Sequence, residues 1–231
     1  MDKYLSGGTI PNNLLSDLSL YFLAKFHKSH LAFRMLVVSG FEEDASVLLR
    51  TLVEIVITLA YISKKPEERV NRFIKYDFIA QHRLMKNLEK HYPNTQINEE
   101  KRVQIIADYM NNKDNFYKKT QWSDQSIAKM AEEIDMMYWY EIVYTPDSSY
   151  VHSNITAARG FMSIKNDELL LSVGPQVFEA TDIISKASEM ARDIIYAVAT
   201  NMSFDTEEVI NTWKKAQELI REEFTSINRT I

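Results

Sequence analysis

Cysteine is absent from the 231 residues, which excludes disulfide bonds and thiolate metal sites. Glycine and proline are scarce, five of each. A many-stranded protein needs more of that punctuation, so the composition favours helices. The longest apolar run in the greasiest stretch, Ile55 to Ile62, has 8 residues, short of the roughly 18 that cross a membrane. The opening MDKYLSGGTIPNN has neither the basic nor the apolar region of a secretory signal. The expectation is a cytoplasmic protein with no membrane partner. A glycine-rich phosphate loop, a GxSxG elbow and an HExxH helix are missing too, so no cofactor and no metal is expected.

What is present is 45% hydrophobic and 26% charged, with a net charge of −5. Residues 1–120 hold 18 basic and 14 acidic side chains, or +4, whereas 121–231 hold 9 and 18, or −9. Within the first part, 64–119 carries 13 basic and 8 acidic residues, or +5. That bias is compatible with a nucleic-acid face and equally with a solvated helical surface.

Periodicity predicts an all-α antiparallel bundle of about seven to nine helices, forming a single domain over 1–231. The first helix is expected from Asn13 to Ser39, with Leu14, Leu18, Phe22, Phe26, Phe33 and Val37 inward and Gly40 ending it. Gly40–Ser63 reads as a central helix, apolar almost all round. A third opens at Pro66 with Val70, Phe73, Ile74, Ile79, Leu84 and Leu88, and a fourth covers 98–110. Asn111–Gln121 is a polar connector, followed by short helices over 125–134 and 136–144. Thr145-Pro146 restarts the chain with Thr145 as N-cap and Pro146 at N1. Residues 161–173 alternate about Asn166-Asp167 and predict one small β-hairpin. A helical pair over 175–227 is expected to pack on the rest. Its first member turns Phe178, Ile184, Ala187, Ala191, Ile195 and Val198 inward, and its second is capped by Asp205 and Glu208.

Chemistry concentrates in two stretches. Ser46, Arg50, Glu54 and Thr58 recur every four residues and draw one polar stripe along the central helix. Charges on so apolar a rod need partners. The stripe is either an internal pair that fixes packing or a pocket floor whose Arg50 fork grips a phosphate or carboxylate. The second stretch, YTPDSSYVHSNITAAR, sets Tyr144, Ser148, Ser149, His152 and Arg159 at spacings that share a helix face. His152 is the side chain suited to proton transfer near neutral pH. His27 and His30 lie one turn apart with no metal motif around them, and the 136–140 cluster MMYWY reads as core.

The segments LLRTLVEIVITLAYI, NRFIKYDF, QWSDQSIAKMA and YTPDSSYVHSN resemble a bacterial family of domains of unknown function, number 5677, over roughly 45–160. The matching positions are Arg50, Glu54, Trp122, Ser126, Tyr144, Ser149 and His152. That family is similar in turn to the HEPN helical bundles, many of them ribonucleases of toxin and phage-defence systems. The resemblance implies RNA or a nucleotide as partner, metal-independent cleavage, and His152, Ser149 and Tyr144 as catalytic residues. Arg50, Glu54, Arg159, Trp122 and Ser126 would then bind substrate. The HEPN signature, Arg followed by four to six residues and then His, is absent. Arg83 and His91 have seven residues between them, and His152 and Arg159 have six in reversed order. The competing reading is a non-catalytic interaction or sensing domain, with a homodimer as one expected assembly and a buried Arg/Glu/His network specifying its packing.

Overall fold

The computed structural model describes residues 13–116, 121–152, 154–165, 167–175 and 180–227, and within these all side chains except those at 159, 180, 216, 217 and 219–227. The chain is mostly helical with one small antiparallel hairpin. In chain order come α1 Leu14–Val38, α2 Glu42–Lys64, α3 Pro66–His91, α4 Glu99–Asn112 and α5 Ile127–Glu133. Met137–Trp139 (α6), a π-helical turn Tyr140–Tyr144 and Thr145–Val151 (α7) follow without a break. Then come β1 Met162–Lys165, β2 Glu168–Leu171, α8 Ala180–Asn201 and α9 Thr206–Ile227.

Local chemistry sets the helix ends. Asn13 caps α1 by accepting the Ser16 amide at 3.0 Å, and Gly40 ends it with φ 77°, a conformation glycine takes without strain. The connection Ser39–Phe41 is so short that α1 and α2 must run antiparallel, and they pack along their length. Pro66 opens α3 where its missing N–H is harmless.

The core is built around α2. Leu49, Leu52, Val53, Ile55, Val56, Ile57, Leu59 and Ile62 are all buried, each contributing about 1.5–3 kcal/mol of apolar transfer. α1, α5, the π turn, α7 and α8 cover it from different sides. By length and hydropathy α2 is long and apolar enough to cross a membrane, although no unbroken apolar run is. Its apolarity is accounted for by burial, since most of that window lies inside the protein.

Several expectations shift in phase. α8 turns Ile183, Ala187, Met190, Ile194 and Val198 inward, leaving Ile184 and Ile195 at the surface; Phe178 lies outside the described residues. Leu14, Ile74 and Leu84 are also exposed. In α3 Arg69, Val70, Ile79 and Met85 are buried, and α4, which packs on α3, buries no residue fully. The helix predicted to restart at Pro146 is continuous instead. Thr145 is itself helical, with φ −71° and ψ −50°, and its N–H bonds Tyr140 O. A proline ring crowds the carbonyl four residues back, here that of Ile142, and the widened π turn accommodates it.

Candidate functional site around Arg50

Arg50 projects from α2 onto the segment 144–148. Its Nε donates to Ser148 Oγ at 2.9 Å and its Nη2 to the Tyr144 hydroxyl at 2.6 Å. The guanidinium carbon stands 4.2 Å from the Tyr144 ring centre, and Ser148 Oγ in turn donates to Tyr144 O at 2.5 Å. Glu54, one turn on, approaches Arg50 Nη1 at 3.7 Å. Arg50 retains 17% of its side-chain exposure and Glu54 45%. The pair expected deep in the bundle therefore has one mostly covered and one half-solvated member. Two hydroxyls answer the arginine more closely than the carboxylate does.

Burial, and after it the Glu54 carboxylate, push the Tyr144 hydroxyl above its usual range. It is therefore a neutral phenol that accepts from Arg50. Tyr140 stacks on it at 5.3 Å. Both rings stand on the π turn, and such turns recur at functional positions.

Asp147 is the residue that sequence reasoning missed. Its Oδ2 is buried with no hydrogen-bond partner, and burial pushes the carboxyl up to about 7. Asp182 raises it further, while Lys186 and Arg50 pull it down. Lys186 is itself engaged with Asp182 at 2.5 Å on α8. The signal was present, because Asp147 is three residues beyond Tyr144 on a helical net. An acid in the first turn after a proline reads too readily as a solvated partner of the helix dipole.

The other predicted site residues separate. His152 is exposed at the C-cap of α7, where its N–H bonds Ser148 O, and it carries none of the contacts to Arg50. The expected Arg/Glu/His network is thus an arginine, tyrosine and serine network with two acids beside it. Ser149 is buried and its carbonyl accepts from Asn154 N at 3.3 Å. Arg159 sits in a 3-10 turn, and its side chain lies outside the described ones. Ser126 caps α5 by accepting the Lys129 amide at 3.3 Å. Trp122 packs edge-on against Phe73 and Tyr61 at 5.2 and 6.0 Å, and its carbonyl accepts from Arg72 Nε at 2.9 Å. Trp122 and Ser126 are thus a brace and a cap.

A family model matches residues 17–169, from α1 into β2, about two-thirds of the chain. The chain belongs to the family of unknown function DUF5677. No curated protein and no solved structure matches it. The match is wider than the 45–160 over which the motifs resemble the family, and it takes in every residue of the Arg50 cluster in this DUF5677 chain. Among its described residues no group of three or more His, Cys, Asp or Glu is placed to hold a metal. His30, one half of the spaced pair in α1, is stacked between Phe26 and Phe33 at 5.9 and 6.0 Å.

Proposed function

We propose that this DUF5677 chain is a non-catalytic helical interaction module, in which the Arg50 cluster clasps α7 to α2. The observation that carries this reading is that the guanidinium is turned onto groups of the chain itself. Nε and Nη2 are bonded to Ser148 and Tyr144, and Nη1 faces Glu54. Two of its five N–H donors are spent on α7 and the preceding turn and its charge faces a carboxylate, and the exposed imidazole of His152 is not part of the cluster. The clasp specifies how a π-bulged helix sits on an apolar rod, a registry role that buried polar groups can perform.

A second reading is supported by Asp147. An unpartnered buried acid that titrates near neutrality, beside a cation, is what a proton-transfer site requires. On this reading the chain is a HEPN-like module directed at RNA or a nucleotide in bacterial defence, working in the cytoplasm. One experiment separates the two. Purified parent, His152→Ala, Asp147→Asn and the double variant Arg50→Met/Glu54→Leu are incubated with total RNA, and their melting is recorded alongside. The interaction reading expects intact RNA in every sample and a double variant that melts within a few degrees of the parent. RNA cleaved by the parent and spared by a folded His152→Ala or Asp147→Asn overturns it in favour of the second.

A further inference from the structure

Asp147 is held where a negative charge on it has no answer. One of its oxygens, Oδ2, is buried without a hydrogen-bond partner. The cations that act on it are Lys186 from α8 and Arg50 from α2, and both are engaged elsewhere. Arg50 gives Nε and Nη2 to Ser148 and Tyr144 and turns Nη1 towards Glu54. Lys186 is paired with Asp182 at 2.5 Å. The acids on the Arg50 side of α2 offer no donor either: Glu54 faces the guanidinium, and Glu43 lies against the backbone of Gly160. On its own segment Tyr144 is a neutral phenol, and His152 stands exposed at the far end of α7. An unbonded carboxyl oxygen out of water costs far more ionised than neutral.

The segment that carries this carboxyl is also weakly anchored. α7 has seven residues, and Ser149 is the one among them that is fully buried. It packs on α2 and on the π turn before it, without a row of buried apolar side chains like that of α2. The two bonds from Arg50 are its polar hold on that helix. Local opening is cheapest in elements of this kind, with few buried apolar contacts.

We propose that Asp147 is a proton-operated latch: protonated, it lets α7 stay closed on α2, and on losing its proton to water it lifts residues 145–152 into solvent and releases Arg50 from Tyr144 and Ser148. The proposal rests on the clasp reading above and supplies its regulation. Opening exposes a guanidinium and the strip of α2 beneath α7, so the interaction surface changes with pH. The sign follows from the geometry. Burial pushes the closed-state carboxyl up to about 7, against an ordinary 3.8, the value it regains once solvated. Between those pH values the closed form binds more protons than the open one, so closure weakens as pH rises. The same two values make opening rise about tenfold from pH 6 to pH 8 and flatten above pH 7.

Hydrogen exchange of the full chain, read by mass spectrometry from pH 5 to pH 9, tests this. Rates in 147–152 are normalised to an unstructured peptide at each pH, with α2 peptides as the internal reference. In the parent, opening of 147–152 is expected to follow that curve while α2 stays protected. Asp147→Asn should remain closed at pH 8, and Tyr144→Phe should open more at every pH yet keep the same rise. Four results each overturn the latch: a flat profile in the parent, a rise that continues undiminished to pH 9, loosening shared equally by α2, or 147–152 unprotected already at pH 5. So does an Asp147→Asn variant, folded by circular dichroism, that repeats the parent's rise. RNA plays no part in the measurement, so a flat profile removes the latch and leaves the clasp, whereas RNA cleavage removes the clasp reading itself.

Discussion

Two arginines meet the bundle interior, and they are held in opposite ways. Arg69, in the first turn of α3, keeps 5% of its side-chain exposure. It donates to the Tyr61 carbonyl at 2.6 Å and to Glu133 Oε1 at 2.7 Å, and stands 3.5 Å over the Tyr61 ring. That contact with Arg69 holds the Glu133 carboxyl below its usual range, and Lys64 donates to the Glu133 carbonyl beside it. Arg50 is gripped by neutral hydroxyls, has its nearer carboxylate at 3.7 Å, and lies beside an acid with an unbonded oxygen. A short ion pair plus a backbone carbonyl makes a fixed strut. Hydroxyls with a protonatable neighbour make a joint whose charge state is open to change.

The largest test of that contrast is Arg69→Ala. It leaves Glu133 and the Tyr61 carbonyl without their donor, so a loss of about 3 kcal/mol is expected in urea unfolding, with α5 loosened from α3. A loss no larger than that of an ordinary surface substitution would remove the strut from the account.

Asp147 is expected to act in the opposite direction. Its folded-state value, about 7, lies above the ordinary 3.8, so between those pH values the folded chain binds more protons than the unfolded one. Stability contributed by this group is therefore highest below about pH 4 and falls as pH rises through 7. Asp147→Asn should abolish that fall and gain on the order of 2 kcal/mol at pH 8. Thermal melts of parent and variant across pH 5 to 8 read it directly, and parallel curves would refute it. Smallest is Tyr144→Phe, which removes one acceptor from Arg50 and should cost about 1 kcal/mol. If it matched Arg69→Ala, the two arginines would not differ in kind.

The fold was largely legible because its signals are local. The Pro66 start, the Gly40 stop, the hairpin that pairs Lys165 with Glu168 and the Asp205 cap each depend on a few neighbouring residues. Asp205 Oδ1 accepts the Glu207 and Glu208 amides at 2.9 and 3.3 Å. The phase of α8 was misread because Ile183 and Ile184 are equally apolar, and only contact with α1 and α2 decides between them. The site was half legible. Spacing found Arg50, Glu54, Tyr144 and Ser148, yet it aimed His152 at the same cluster by assuming a regular helix that ends in register. Arg69 left no trace, since an arginine among the charges of a first turn looks solvated until Tyr61 and Glu133 are brought around it by tertiary packing.

The π turn at Tyr140–Tyr144 also sets a rule for length variation in this stretch. Such a turn absorbs one residue more than the α repeat holds, whereas a residue added or removed just beyond it, at Thr145-Pro146, would rotate everything downstream by about 100°. Ser148 and Asp147 would then swing off α2 towards solvent, however well their identities were kept. In this part of the chain, spacing is as much a determinant of the contact with Arg50 as the side chains themselves.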